Sequence, residues 1–135
     1  MRRIVIDTGV LESAAIKPHS IPALALQRAL ATHTLLQSEA TFAELERVLL
    51  RDKFEAYAPR ALRQAFVEGI RAHAEFVPGT SRIAECRDPN DDKFLALALD
   101  ADAELMLSSD IDRLALNPWR GVPILTPADF LVMPF

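Results

Sequence analysis

The sequence predicts an α/β domain, with a central, mostly parallel β-sheet flanked by α-helices. Three observations point there. Short apolar runs rich in β-branched residues recur along the 135 residues. Stretches with helical apolar spacing and recognisable caps separate these runs. Two of the runs end in a polar stretch that carries an aspartate, as strands do where they leave a buried sheet.

Arg3-Ile4-Val5-Ile6-Asp7 reads as a buried strand that stops at Asp7-Thr8-Gly9. A loop containing Lys17-Pro18-His19-Ser20 follows, then a helix over Ile21 to Ala31. Ser20 is its expected N-cap and Pro22 falls in its first turn, where a missing N–H costs nothing. Thr34 to Gln37 is the second strand. Ser38 caps a helix through Leu49, with Phe42, Leu45, Val48 and Leu49 on one face. Pro59 opens a third helix whose stripe is Leu62, Ala65, Phe66 and Ile70. Asp88-Pro89-Asn90-Asp91 is a turn rich in helix-start chemistry, and Phe94 to Leu99 follows as a helix apolar nearly all round. Leu105-Met106-Leu107 and Val122-Pro123-Ile124-Leu125 are further strands. Thr126 caps a last turn over Pro127 to Leu131.

One domain over residues 1–135 is the expectation from length, with no repeat or linker. Half of the residues are hydrophobic and a quarter are charged, the profile of a globular protein with a real core. No apolar run reaches the roughly 18–20 residues that span a bilayer, so no membrane role is expected. The N-terminus lacks the apolar centre of a signal peptide. The single cysteine, Cys86, forms no intrachain disulfide, which suits a cytoplasmic setting. One thiol cannot build a thiolate zinc site, and His19, His33 and His73 show no ligand spacing. The formal net charge of −4 argues against a general nucleic-acid binder with a basic face. It leaves room for an enzyme that meets phosphate through a bound cation.

The chemistry is concentrated in carboxylates. In an open parallel sheet, sites lie beyond the carboxyl ends of the strands. Asp7 and Asp110 each follow a strand, Glu44 lies on the helix after the second strand, and Asp91 and Asp92 begin the helix before Leu105. Crowded carboxylates repel one another and call for a cation. Oxygen-only ligands select hard ions such as Mg²⁺ or Mn²⁺, which typically serve phosphate chemistry. Metal-assisted phosphodiester cleavage is therefore the expected reaction. Each acid has a plainer alternative: a turn start for Asp7, a solvated charge for Glu44, dipole compensation for Asp91 and Asp92, an N-cap for Asp110.

Five segments resemble the PIN-domain family, in particular the PIN-family toxins of bacterial and archaeal toxin–antitoxin modules. They are Ile4-Val5-Ile6-Asp7-Thr8-Gly9-Val10-Leu11, Ser38 to Leu49, Cys86 to Ala98, Leu107-Ser108-Ser109-Asp110-Ile111-Asp112, and Ile124 to Leu131, in the family's order over nearly the whole chain. The resemblance implies a PIN-like fold and Mg²⁺- or Mn²⁺-dependent cleavage of single-stranded RNA. It further implies a cognate antitoxin as partner and a homodimer. Carried over, Asp7, Glu44, Asp92 and Asp110 are the acidic quartet. Asp92 is preferred to Asp91 because it stands four residues before Ala96, and Glu44 to Glu46 because it directly precedes Leu45. Asp112 is an auxiliary ligand; Thr8 and Ser108 are supporting hydroxyls. Two residues depart from the pattern: Gly9 stands where a polar residue, often Asn, is usual, and Arg113 where an apolar one is expected.

Other readings stay open. Asp7-Thr8-Gly9 also resembles the aspartic-protease triplet, but those enzymes are β-rich. A non-catalytic PIN-like binding module and a nuclease acting on DNA are the alternatives to a ribonuclease. Lys17, Lys53, Arg87, Lys93 and Arg113 are candidate phosphate contacts, with Arg87 and Lys93 nearest the acidic segment; Phe54 and Tyr57 either stack bases or pack. The apolar ending, Phe130 to Phe135, is either an interface or a segment packed on the sheet.

Overall fold

Five parallel strands form the sheet: β1 (Arg2–Ile6), β2 (His33–Gln37), β3 (Glu75–Phe76), β4 (Leu105–Leu107) and β5 (Ile124–Leu125). Their order is β3-β2-β1-β4-β5, so β1 is the centre. This computed structural model describes residues 2–80 and 92–134. The helices are α1 (Thr8–Ile16), α2 (Ile21–Thr32), α3 (Glu39–Leu49), α4 (Arg60–His73), α5 (Asp92–Asp100), α6 (Ile111–Leu114) and α7 (Pro127–Leu131), with a 3-10 turn over Asp52–Ala56. The α/β prediction, with its mostly parallel sheet between helices, is met.

Strand alternation divides the core in two. Ile4, Ile6, Leu35, Leu105 and Leu107 face one side and pack with residues of α1, α2, α3, α4 and α7. Val5, Leu36, Met106 and Ile124 face the other and meet Phe94, Leu95, Leu97 and Ala98 of α5, with Trp119. Burial on both faces explains why the strands read as continuous apolar runs.

The caps act where the sequence places them. Ser20, Ser38, Asp110 and Thr126 each accept a backbone N–H at the start of α2, α3, α6 and α7. At α3 Thr41 completes a reciprocal capping box with Ser38. Two elements correct the sequence reading. The segment expected as a loop after Asp7 is helix α1, and Asp7 is its N-cap, accepting from the Val10 amide at 2.9 Å. Glu75–Phe76 is a short edge strand paired with Leu36 and Gln37.

The chain ending is tied to the body. Phe130 is fully buried, and the Arg28 guanidinium donates to the carbonyls of Phe130 and Leu131 at 2.8 Å and to that of Met133. Val132 remains exposed. Among the described residues no helix is long and apolar enough to cross a membrane.

Candidate active site

The chain builds β1, β2 and β3 to one side of the sheet and then β4 and β5 to the other. Such a reversal leaves a crevice beyond the carboxyl ends of the two strands that flank it. Here these are β1, followed by Asp7, and β4, followed by Ser108. A cleft of about 250 Å³ opens there, and Asp7, Thr8, Glu44, Asp110 and Arg113 line it together with Gly9, Phe94 and Ser109.

Asp7 is held from several directions. Its Oδ1 accepts the Val10 amide; its Oδ2 accepts the Ser108 hydroxyl at 2.6 Å, the Ser109 amide at 3.3 Å and Arg113 Nη1 at 2.5 Å. Asp7 and Arg113 are each only 2% exposed. Burial pushes the Asp7 carboxyl above its ordinary range, opposed by the Arg113 charge and by hydrogen bonds from Ser108, Val10 and Ser109. The Arg113 guanidinium also lies 4.8 Å from the Phe94 ring centre. Glu44 projects from the middle of α3, where the Thr8 hydroxyl donates to Oε2 at 2.5 Å and Lys93 Nζ to Oε1 at 3.0 Å. Asp110 caps α6 through the amides of Asp112 and Arg113, at 2.8 and 3.4 Å.

The structure thus brings Asp7, Glu44, Asp110 and Thr8 to one cleft, with Ser108 bonded to Asp7. Asp112 stands in the first turn of α6 and is not among the lining residues. Asp92 is the first residue of α5; its side chain, like Arg87 and Asp91, lies outside the described residues. Lys93, expected to face phosphate, is the ion partner of Glu44. Arg113, a candidate phosphate contact from the sequence, is instead the buried ion partner of Asp7, a pairing the sequence reading did not foresee. Its signal was a charged residue in an apolar slot three positions after an aspartate. Gly9 also finds its reason: an added Cβ would stand 2.7 Å from Ser109 Oγ, so that hydroxyl would have to turn away.

The donor set, carboxylates without sulfur or imidazole, suits a divalent Mg²⁺ or Mn²⁺ in kind. The charge of two of these carboxylates is met by Arg113 and Lys93. Among the described residues no three acids stand together as a ligand group.

The family profile described as the PIN domain matches residues 3–112. The chain belongs to the PIN-domain family. Its fold is shared by VapBC2 from Rickettsia felis, solved bound to a DNA fragment from the promoter, at 13% identity and TM-score 0.61 over 90% of this chain and 96% of that one. It is shared also by VapC20 from Mycobacterium tuberculosis, described as a sarcin–ricin loop cleaving toxin (14%, TM-score 0.57, 83% and 93%). FitAcB from Neisseria gonorrhoeae is a third (18%, TM-score 0.57, 93% and 98%). No curated protein matches the sequence.

Proposed function

We propose that the chain is a metal-dependent endoribonuclease, one catalytic unit over residues 1–135, acting as the toxin of a toxin–antitoxin module. One observation carries the reading: Asp7, Glu44 and Asp110 converge on a single cleft beyond the carboxyl ends of β1 and β4. Asp7, Glu44 and Asp110, joined by Asp92 and with Asp112 as auxiliary, would hold Mg²⁺ or Mn²⁺. The bound ion supplies the Lewis acidity and the activated water that phosphodiester hydrolysis needs. The protein's own share is preorganisation. Ser108, with the Val10 and Ser109 amides, fixes the Asp7 carboxylate, while Thr8 fixes that of Glu44. Lys93, beside Glu44, offers an ammonium to a non-bridging phosphate oxygen, with Arg87 as a further candidate.

The antitoxin partner draws support from the neighbours' names, a VapBC pair and a FitAcB assembly. A homodimer and a cytoplasmic location complete the proposal. A second reading, a non-catalytic PIN-like module, is favoured by the two internal cations, Arg113 and Lys93, standing on Asp7 and Glu44.

The test is cleavage of a fluorogenic single-stranded RNA by wild type, Asp7→Asn, Asp92→Asn and Asp110→Asn, with Mg²⁺, Mn²⁺ or EDTA, and a matched DNA strand. Metal-dependent RNA cleavage that falls at least a hundredfold in all three variants is the expected result. Cleavage untouched by EDTA or by the substitutions overturns the mechanism. A folded protein that cuts neither strand favours the binding module, and one that cuts only DNA favours the other nuclease.

A further inference from the structure

A second cavity, larger than the acidic cleft, lies outside it. It encloses about 380 Å³ between the C-terminal half of α1 and the 3-10 turn with Tyr57 after it. The same helix faces lead to it. Thr8, Glu12 and Ile16 stand at successive i, i+4 positions, as do Gly9, Ser13 and Lys17. The first member of each column lines the acidic cleft; the remaining members line this cavity. The two sites are therefore consecutive along one side of α1. From Thr8 to Ile16 is roughly 12 Å of helix at 1.5 Å per residue. A stacked strand advances about 3.4 Å per nucleotide, so some three or four nucleotides cover that span.

The cavity's lining combines two aromatic rings, two lysines and one carboxylate. Phe54 is buried and forms part of the wall, whereas Tyr57 is 68% exposed. Lys17 and Lys53 are both exposed at the cavity, and neither makes an ion pair among the described residues. Lys53 Nζ lies 5.0 Å from the Phe54 ring centre, which keeps its ammonium beside the aromatic wall. Glu12, half-buried, supplies the acceptor that a base's exocyclic amine requires. Two cations and an exposed aromatic ring thus meet beside the cleft.

We infer that this cavity is a subsite for single-stranded RNA, with a base stacked on Tyr57 and the flanking phosphates met by Lys17 and Lys53. It rests on the ribonuclease reading and names where the strand runs when its scissile phosphate is at Asp7. Stacking on an aromatic ring serves any base, so the subsite contributes affinity and register with little sequence preference.

The experiment measures binding of a labelled single-stranded RNA to the full chain in EDTA, over a series of salt concentrations. Wild type is compared with Tyr57→Ala, Tyr57→Phe and Lys17→Ala/Lys53→Ala. The same proteins are then assayed for cleavage in Mn²⁺. Tyr57→Ala should bind roughly tenfold more weakly and Tyr57→Phe should bind as wild type. The double lysine variant should lower the slope of log K against log salt by about 1.4, two phosphates at ~0.7 each. In cleavage, both should raise KM and leave kcat unchanged, since neither touches the acidic cleft. If wild type cleaves RNA and all variants bind and cleave as it does, the subsite is overturned and the nuclease reading stands. If wild type neither binds nor cleaves RNA, both fall.

Discussion

Arg63 and Arg113 are almost fully buried, at 1% and 2% exposure, yet their partners differ in kind. Arg63, on α4, donates to the carbonyls of Ala58, Leu49 and Arg51 at 2.7–3.0 Å and to the Glu55 carboxylate, which is 56% exposed. Its charge is spent on the C-terminal end of α3 and on the turn that follows, where helix carbonyls lack donors. Its one acidic partner keeps contact with water. Arg113 meets a carboxylate as buried as itself, in the cleft. A guanidinium on carbonyls is a tie. A guanidinium on a buried acid sets that acid's charge, and so decides what else the acid can bind.

The largest effect should follow from replacing Arg113. Arg113→Met keeps much of the volume and leaves Asp7 buried without its counter-charge. Breaking one side of a buried pair costs about 3–5 kcal/mol, so thermal unfolding in EDTA should fall sharply. Two further measurements separate this from a packing defect. Mn²⁺ should restore much of the loss, because an ion that binds only the folded state stabilises it. Asp7→Asn in the same chain should also restore it, since a neutral amide needs no cation. If neither recovers stability, Arg113 is a tie like Arg63 and the contrast is lost.

Arg63→Met should cost somewhat less, about 3 kcal/mol, from three carbonyls losing their donor. Here Glu55 can turn to water. Mn²⁺ should shift the melting temperature of this variant no more than it shifts wild type. A metal-dependent rescue of Arg63→Met would mean that the cleft and the α3–α4 connection unfold as one unit.

The same contrast explains what could be read in the sequence. Caps and β-branched runs are local signals, so β1, β2, β4, the last strand and the caps Ser20, Ser38, Asp110 and Thr126 were legible. So was the convergence of Asp7, Glu44 and Asp110, because strand ends and helix faces share an edge by topology. Helix α1 was not. Thr8 and Gly9 are poor helix formers, and Ala15 and Ile16 extend the apolar positions beyond the buried face of Val10, Leu11 and Ala14, which blurs the helical pattern. Its cap, Asp7, already had a reading as a ligand. Strand β3, two residues long, offers too little pattern to see. The Arg113–Asp7 pair spans 106 positions, and no local rule connects them. The aromatic pair left open between stacking and packing divides: Phe54 is buried and Tyr57 is exposed.

The smallest expected effect lies at the opposite edge of the sheet, where β2 begins. His33 is buried, edge-on to the Phe130 ring at 5.6 Å, with Thr32 Oγ1 2.7 Å from its Nδ1. Burial lowers its pKa below 6.5; the Arg2 and Arg28 charges lower it further, and Glu104 opposes them. The unfolded chain therefore binds the proton more readily than the folded one. Stability from the neutral ring is fully present above pH 6.5 and is lost as pH falls through the folded value. Asp7 acts with the opposite sign. Its raised pKa means that the folded state takes up the proton first, so acidification favours folding from the folded value down to 3.8. Melting curves of wild type and His33→Gln between pH 7.5 and 5 separate the two. The wild-type excess in stability should shrink toward the acid end, by about 1.4 kcal/mol for each unit its folded pKa is depressed. Parallel curves would show that the ring accepts its proton without cost.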